Sequence, residues 1–160
     1  MFGFMKKNKR EELVAVVDGE LISIEDVNDP VFSQKMMGDG FAIKSTGNTI
    51  YACADAQVSM LFPSNHAVGL VLDNGMEILI HVGIETVNEK GKGFTCFCKQ
   101  GKKVEKGDIL LKFDRKYLEE QGYDLTVMIV FTNKDSYKEF CKEDIKHVKG
   151  GESLVVTYTI

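Results

Sequence analysis

Long hydrophobic runs are missing from this sequence, which also has no tryptophan and only two prolines. None of its apolar runs approaches the ~20 residues of a membrane-spanning helix, so no such helix is predicted. The opening stretch MFGFMKKNKREEL has too short an apolar run for a signal peptide and no small-residue cleavage site. These absences favour a cytoplasmic protein.

An excess of basic residues is also missing. Lys and Arg number 20 against 24 Asp and Glu, which gives a net charge of −4. No stripe of Arg and aromatic residues is present, so we predict no nucleic-acid partner. The phosphate loop G-x-x-x-x-G-K-S/T, the G-x-S-x-G elbow and the H-E-x-x-H zinc motif are absent as well. This argues against a nucleotide-driven kinase and against the hydrolases that carry those motifs.

Cysteine is scarce and has no recognisable framework. The residues are Cys53, Cys96, Cys98 and Cys141. They fall in or beside apolar segments, which is consistent with a reducing compartment. Cys96-x-Cys98 has neither the C-x-x-C redox spacing nor a second pair to complete a zinc site, so we interpret both as structural or incidental thiols. No metal site and no cofactor is predicted.

Short apolar or alternating runs separated by Gly, Asn and Asp fill most of the chain, for example AVGLVL, MEILIHV and LTVMIVF. This pattern predicts a single all-β domain, an antiparallel β-sandwich or barrel, with one or two short helices. The helices are predicted over 114–122 and 134–143. We divide the chain into a flexible tail over 1–13 and a domain over 14–160.

Two histidines lie in this strand pattern. His81 interrupts the apolar run MEILIHV, and His66 precedes the strand that runs into Asn74-Gly75. A two-residue loop at Asn74-Gly75 would place residue 68 opposite His81, and the two rings would then be diagonal neighbours on one face. A three-residue loop would shift the register by one and place them on opposite faces. A single histidine in such a strand is more often a satisfied core residue, whereas two on one face need another reason.

Two kinds of chemistry use a pair of imidazoles. Zinc is one, although two histidines supply only two ligands. Phosphoryl transfer is the other, because an unprotonated imidazole is a competent nucleophile at neutral pH and its phosphoramidate can pass the group on. The second imidazole can donate a hydrogen bond to the phosphoryl oxygens. His147, in IKHVKGG, has no such partner and is interpreted as a surface residue.

Several separated motifs resemble one known family. The stretches NDPVFSQKMMGDGFAIKSTGN, FPSNHA and LIHVGIETVNEKGKGF resemble the IIA component of the glucose family of the bacterial phosphoenolpyruvate-dependent sugar phosphotransferase system. The likeness covers about residues 14–160. It implies an antiparallel β-sandwich and a phosphotransferase that carries a phosphohistidine, with the phosphocarrier protein HPr as donor and a cysteine of a IIB domain as acceptor.

The resemblance also implies roles for individual residues. The phosphorylated histidine of the family's H-F-G-I-D-T-V motif falls on His81, and the phosphoryl-stabilising histidine of T-N-H-A falls on His66. Ser64 stands where the family has a Thr that orients the second ring. Two positions depart from the pattern: Glu85 replaces the motif's Asp, and Met60 replaces a basic residue common in enteric members.

The family's docking surface for its partners is an apolar rim around the histidines. It maps onto Phe32, Met37, Phe62, Leu79 and Val87, with Glu85 as the carboxylate that steers the partner. Each of the apolar residues could equally be plain core. A shallow apolar ring around a reactive histidine suits transient protein docking.

Three further expectations remain open at this stage. The tail MFGFMKKNKR could make peripheral membrane contact at most, and a disordered tail is the simpler interpretation. A regulatory binding module of the same fold, signalling to target proteins through its phosphorylation state, is the main alternative function. A zinc metallopeptidase of a related sandwich type is disfavoured, since the H-x-H pair and further His/Asp pair of those enzymes are missing.

Overall fold

The computed structural model describes residues 10–133 and 137–160. Within these ranges most of the ordered backbone is extended. The strands are β1 (Arg10–Val14), β2 (Gly19–Ser23), β3 (Gly40–Ser45), β4 (Thr49–Tyr51), β5 (Ala56–Leu61), β6 (Ala67–Leu72), β7 (Glu77–Val82), β8 (Phe94–Cys96), β9 (Lys103–Val104), β10 (Ile109–Phe113), β11 (Thr126–Phe131), β12 (Lys138–Lys142), β13 (His147–Val148) and β14 (Leu154–Thr159). Two short helices, α1 (Pro30–Ser33) and α2 (Arg115–Glu120), and two 3-10 turns, Ile24–Asp26 and Thr86–Glu89, complete the elements.

Three antiparallel sheets are formed by these strands. The largest has the order β13-β2-β3-β11-β7-β6-β5-β9, and two three-stranded sheets have the orders β1-β14-β12 and β4-β10-β8. All three contribute side chains to one large apolar cluster, which includes Phe41, Ile80 and Phe131 from the large sheet, Tyr158 from β14 and Leu110 from β10. This confirms the predicted antiparallel all-β domain with short helices.

A second, smaller cluster lies on the large sheet. Ala42, Met128 and Val130 of β3 and β11 pack there against Ile24, Val27 and Phe32, which come from the segment between β2 and β3. Asp29 caps α1 through a hydrogen bond from the Val31 amide, and Pro30 follows at the first helical position. This segment covers part of the face that carries the candidate site.

One helix prediction is confirmed and the other is wrong. Asp114 caps α2 by accepting from the Tyr117 amide, as expected for a helix over 114–122. Residues 138–142 of the second predicted helix instead form β12, paired with β14, and 134–136 lie outside the described residues. Tyr137 and Phe140, three residues apart, both pack on the ring of Phe131.

The cause is an irregularity in β12. Its register slips between Lys138 and Cys141, where Glu139 has a φ of 51°. A bulge inserts an extra residue into a strand, so side chains on one face become three positions apart. That spacing imitates the period of a helix.

The β6–β7 loop also differs from its prediction. Val71 pairs with Glu77 and Ala67 pairs with His81, one residue away from the register that a two-residue loop gives. The loop is held open because the Asn74 amide group donates to Glu11 and to the Tyr158 hydroxyl, while its oxygen accepts from the Met76 amide. Contacts with β1 and β14 therefore set this register.

Two remaining points concern the ends of the domain and the membrane. Arg10–Val14 already pair with β14, and residues 1–9 of the predicted tail lie outside the described residues, so the boundary between 13 and 14 stays a prediction. Among the helices of the described part, none is long and apolar enough to cross a membrane.

Candidate functional site

The site begins with the alternation of side chains along β7. Ile78, Ile80 and Val82 point into the large cluster, so His81 points to the opposite face of the sheet. On that face its cross-strand neighbours are Ala67 of β6 and Met128 of β11. His81 keeps part of its surface exposed. The imidazole of His81 therefore lies next to the small cluster.

His66 reaches this ring although the register would place it on the other face. The ring centroids of His66 and His81 lie 4.9 Å apart, with planes at 81°. The predicted closeness is therefore confirmed, but its cause is different. His66 lies in a bend just before β6, after Asn65 with a φ of 56°, and strict alternation applies only to extended residues. Its carbonyl accepts from the Val82 amide at 2.8 Å, which fixes it beside His81.

Two phenyl rings enclose the imidazole pair. Phe32 of α1 packs on His81 with centroids 5.2 Å apart, and Phe62 packs on His66 at 5.6 Å. His66 is only 4% exposed. Water therefore has little access to the His66 ring, whereas the His81 ring keeps part of its surface exposed.

Burial controls the charge of the pair. The pKa of His81 falls from 6.5 to about 4, mainly because of desolvation and then because of the nearby His66. The hydrogen bond to Gly83 and the charge of Asp29 raise this pKa and offset part of the fall. Burial also lowers the pKa of His66. Both rings are therefore neutral at pH 7, so a nitrogen lone pair is available on each.

Hydrogen bonds decide which nitrogen is available on His81. Its Nδ1 lies 2.9 Å from the carbonyl oxygen of Gly83, an acceptor, so Nδ1 carries the proton and donates it. Nε2 is then the unprotonated nitrogen of a neutral ring. Nε2 is therefore the nitrogen of His81 that has a lone pair available for nucleophilic attack.

Ser64 holds the second ring in the same way. Its hydroxyl oxygen makes a short hydrogen bond with Nδ1 of His66. When the hydroxyl donates, Nδ1 is the acceptor and Nε2 of His66 carries the proton. In this tautomer His66 can donate a hydrogen bond to a group attached to His81.

The backbone after His81 explains the Gly-x-x-Thr spacing of the motif. Gly83 has a φ of 79°, and a Cβ there would lie 2.5 Å from Cγ2 of Thr86. The buried Thr86 hydroxyl donates to the Val82 carbonyl at 2.5 Å. Gly83 is therefore needed both for the turn and for the close approach that aims its carbonyl at His81.

The predicted rim residues divide into two groups. Met37 and Val87 are 39% and 48% exposed, Phe62 is half-buried and Glu85 is exposed. Phe32 and Leu79, in contrast, are only 5% and 7% exposed and offer little surface to a partner. Other apolar side chains that the sequence analysis did not assign to the rim are exposed on the same or neighbouring segments: Val31, Met36 and Met60.

Some contributors were missed because they carry no sequence signal. The Gly83 carbonyl is a backbone atom, and the carboxylate of Asp29 acts on His81 only through the fold. Glu89 is a third case: it accepts hydrogen bonds from the hydroxyls of Tyr117 at 2.5 Å and Tyr123 at 2.7 Å. This clamp anchors the turn that follows Glu85.

Metal ligands are sparse around the pair. Across the described ranges 10–133 and 137–160, no group of three or more His, Cys, Asp or Glu side chains could hold a metal ion. The two imidazoles alone would supply two of the four ligands of a structural zinc site. The arrangement that is present, a free Nε2 beside a second N–H donor, suits transfer of an anionic group.

Comparisons with known proteins agree with this chemistry. Residues 11–137 match the family model described as phosphoenolpyruvate-dependent sugar phosphotransferase system, EIIA 1. The chain is 42% identical over its whole length to a PTS system glucose-specific EIIA component of Halalkalibacterium halodurans, covering 96% of that protein. It is also 42% identical, over 82% of its length, to 18% of a PTS system glucose-specific EIICBA component of Streptococcus pneumoniae.

A solved structure shows the same fold. The glucose permease IIA from Mycoplasma capricolum superposes with a TM-score of 0.87 at 35% sequence identity, and the match covers 94% of this chain and 96% of the other. The similarity therefore extends across the whole architecture that positions the two histidines.

Proposed function

The chain belongs to the EIIA 1 family of the phosphoenolpyruvate-dependent sugar phosphotransferase system, and from this premise we propose how its residues carry the phosphoryl group. EIIA components are phosphoryl carriers, and this chain is one. In our proposal Nε2 of His81 accepts the group from phosphorylated HPr and passes it to a cysteine of a IIB domain. The relatives in which EIIA is fused as an EIICBA component support the second partner.

Acceptance by His81 needs no general base. The ring is neutral at pH 7 and its Nε2 lone pair attacks phosphorus, so the new nitrogen–phosphorus bond forms as the bond to the donor nitrogen breaks. Positive charge then develops on the His81 ring. The Gly83 carbonyl, which accepts from Nδ1 at 2.9 Å, stabilises that charge.

His66 serves as the partner of the phosphoryl oxygens. Its ring lies 4.9 Å from that of His81, and Ser64 favours the tautomer with a proton on Nε2. A hydrogen bond from this N–H to a phosphoryl oxygen would offset the negative charge as the group moves onto or off His81. Burial by Phe62 strengthens this bond, because the surroundings have a low dielectric.

The exposed apolar residues are the proposed docking rim. Met37, Phe62 and Val87 form its core, joined by the exposed Val31, Met36 and Met60, and Glu85 adds the charged edge. Phe32 and Leu79 support the rim from below. A small apolar rim of this kind suits HPr and IIB, which must bind in turn and leave quickly.

Sugar specificity is proposed to lie outside this domain. The chain is 42% identical to the EIIA part of a glucose-specific EIICBA component and 39% identical to that of a glucosamine-specific one. Such similar values indicate that the EIIA part is not what separates the two sugars. We also place the protein in the cytoplasm, with regulatory target proteins and peripheral membrane contact by the tail as further proposals.

The single observation that carries the proposal is the neutral His81, fixed through Nδ1 and free at Nε2, beside His66. Its test is incubation with phosphoenolpyruvate, enzyme I and HPr, followed by measurement of the intact mass. The wild type should gain one phosphoryl group, whereas His81→Ala should gain none. His147→Ala is the matched control, since this histidine is exposed and lies on the edge strand β13, four strands away from β7 in the large sheet.

A second measurement separates the two histidines. His66→Gln keeps an N–H donor, so we expect it to be phosphorylated on His81 but to pass the group to IIB at least about tenfold more slowly. Ser64→Ala should slow transfer to IIB less than His66→Gln does. Ser64→Thr keeps a hydroxyl and should transfer at the wild-type rate. Phosphorylation of His81→Ala, or a wild-type IIB rate in His66→Gln, would show that the roles are assigned incorrectly.

A further inference from the structure

A pair of thiols lies away from the histidines, at the end of β8. Cys96 is the last residue of that strand and Cys98 follows two residues later; their Sγ atoms are 3.7 Å apart. Cys96 Sγ also lies 3.1 Å from the Cys98 carbonyl oxygen. Both side chains are partly exposed. The two sulfurs thus face each other at a place that reagents can reach.

The backbone allows these sulfurs to be joined. A disulfide needs Cα atoms about 4.4–6.8 Å apart, a separation that residues two apart in the chain reach when the backbone between them is not fully extended. The sulfurs need to approach from 3.7 Å to a bond length of about 2.0 Å, a movement within the reach of side-chain rotation. Cys98 lies beyond the end of β8, so its backbone is not held in that ladder.

A basic cleft adjoins the pair. Cys98 lines a surface cleft of about 590 Å³ together with three lysines and one carboxylate: Lys99, Lys102, Lys103 and Asp108. Phe97, between the two thiols, is 54% exposed, and its ring is covered by Nζ of Lys112 at 5.3 Å. The cleft therefore combines positive charge with an apolar wall.

This charge stands out against the rest of the chain. Residues 90–116 contain nine Lys or Arg and three Asp or Glu, a net charge of +6 in a protein whose net charge is −4. A local excess of one sign raises the concentration of oppositely charged small molecules and speeds their encounter. The reagents favoured at Cys98 are consequently anionic.

We propose that Cys96 and Cys98 form a modification site, at which an anionic low-molecular-weight disulfide oxidises the two thiols to an intramolecular disulfide. The proposal concerns the region around β8 and is independent of phosphoryl transfer at His81. It replaces the interpretation of these residues as incidental thiols.

The reaction proceeds by two exchanges. The Cys96 thiolate first attacks one sulfur of the reagent, a mixed disulfide forms on Cys96, and half of the reagent leaves as a thiolate. The Cys98 thiol then gives its proton to the solvent and attacks Cys96 Sγ, and the other half leaves as a second thiolate. Two electrons pass from the cysteines to the reagent, so one reagent disulfide becomes two thiols for each protein disulfide formed.

Electrostatics support this order of attack. Burial raises the pKa of Cys98 to about 12, with further contributions from the charge of Cys96 and the hydrogen bond to it. Cys98 therefore stays protonated at neutral pH, which leaves Cys96 as the first thiol to attack. Once Cys96 is in the mixed disulfide, its contributions to the raised pKa of Cys98 are removed, and Cys98 loses its proton more easily.

The other two cysteines provide internal controls for the test. Cys53 is fully buried, and burial raises its pKa to about 12, so it should not react in the folded protein. Cys141 is exposed, with no second cysteine within reach in the described part of the chain, so it can only hold a mixed disulfide. The reduced full-length protein is treated with oxidised glutathione, then alkylated and mapped by mass spectrometry.

The expected result is loss of two hydrogen atoms in the peptide that holds Cys96 and Cys98, reversed by dithiothreitol. Cys98→Ser should hold glutathione on Cys96 instead, whereas Cys96→Ser should react much more slowly, because burial keeps the pKa of Cys98 high. The proposal is overturned if wild-type Cys96 and Cys98 stay alkylatable while Cys141 is glutathionylated, or if they hold separate glutathione groups. The wild-type result decides this even if a variant folds poorly.

The role of the cleft is tested by reversing its charge. Lys102→Glu with Lys103→Glu should slow oxidation by the anionic glutathione disulfide about threefold to tenfold at low ionic strength, and leave oxidation by the neutral hydroxyethyl disulfide unchanged. Lys142→Glu with Lys146→Glu, two exposed lysines outside the cleft, is the control with the same change of net charge. If the two substitutions slowed oxidation by both disulfides equally, the lysines would act on the thiols themselves. That result would contradict recruitment of the anionic reagent by the charge of the cleft.

Discussion

The two faces of the large sheet carry similar apolar side chains but differ in what covers them. One face packs on the large cluster, to which all three sheets contribute. The other is covered only in part, by Ile24, Val27 and Phe32 from the segment between β2 and β3. Strand β7 serves both faces, since Ile80 is completely buried in the first and His81 is partly exposed on the second.

The difference shows how a reactive imidazole is kept neutral and accessible. On the fully covered face a histidine would be sealed from partners, and on an open face water would favour its protonated form. The partial cover gives an intermediate environment, in which Phe32 packs on His81 while the imidazole keeps part of its surface exposed. The large cluster packs on one face of β7, and Phe32 of the small cluster limits the contact of the His81 ring with water.

The largest expected effect comes from a charge on the covered face. Ile80→Asp places an unpaired carboxylate in the large cluster, so we expect a loss of about 5 kcal/mol in the free energy of unfolding. Chemical denaturation measures this loss, with Ile80→Val as the control, for which about 1 kcal/mol is expected. A stable Ile80→Asp protein would mean that the two faces do not differ as described.

The same charge on the partly covered face should cost less. Phe32 is 5% exposed, so Phe32→Asp should lose stability, but only about 2–3 kcal/mol, because α1 is four residues long and can turn the carboxylate toward water. Phe32→Leu is the control. A melting temperature equal to that of the wild type would contradict the burial and restore Phe32 to the docking rim.

The sequence predicted the composition of the site better than its geometry. His66 and His81 were predicted as a pair from the strand pattern and Ser64 from the family resemblance, and the structure brings these three side chains together. The register of the β6–β7 hairpin was missed, because Asn74 bonds to Glu11 and Tyr158 across the sheets and such contacts leave no local pattern.

Burial around the site was equally hard to predict. In a helix of four residues, the apolar Val31 and Phe32 show no periodic face, yet one is 40% exposed and the other 5%. The strand at Lys138–Lys142 was mistaken for a helix because its bulge changes the spacing of Tyr137 and Phe140. The sandwich itself was predictable, since it depends on many alternating strands and not on any one contact.

The pH dependence of stability offers a sharper test of the partial cover. The pKa of His81 falls from 6.5 to about 4 on folding, so between these values the unfolded chain binds more protons than the folded one. The contribution of His81 is therefore complete above about pH 6.5 and is lost as the pH falls toward 4, by up to about 3 kcal/mol. His81→Gln should lose less stability than the wild type between pH 7 and pH 4.5, as measured by denaturation at each pH.

A direct titration checks the same quantity. The imidazole of His81, followed by NMR, should stay neutral at pH 5.5, where most unperturbed imidazoles of about pKa 6.5 are protonated. His147→Gln is the control for the denaturation series, because it removes an exposed histidine without touching the site. A midpoint for His81 near 6.5 would show that the cover does not desolvate the ring.

The smallest expected effect concerns the exposed side of the comparison. Met37 is 39% exposed, so Met37→Asp should change the free energy of unfolding by no more than about 0.5 kcal/mol. If the rim excludes water when a partner docks, the new carboxylate has to be desolvated and also repels the phosphoryl group, which should slow transfer from HPr several-fold, or about 1 kcal/mol. Ile145→Asp, at a side chain 41% exposed just before the edge strand β13, is the matched control and should leave transfer unchanged. Equal transfer rates in the two variants would place docking elsewhere on the surface. Slow transfer in Met37→Asp alone would show that partners contact an exposed rim on this face of the sheet. The buried residues under His81 would then be the support of that rim.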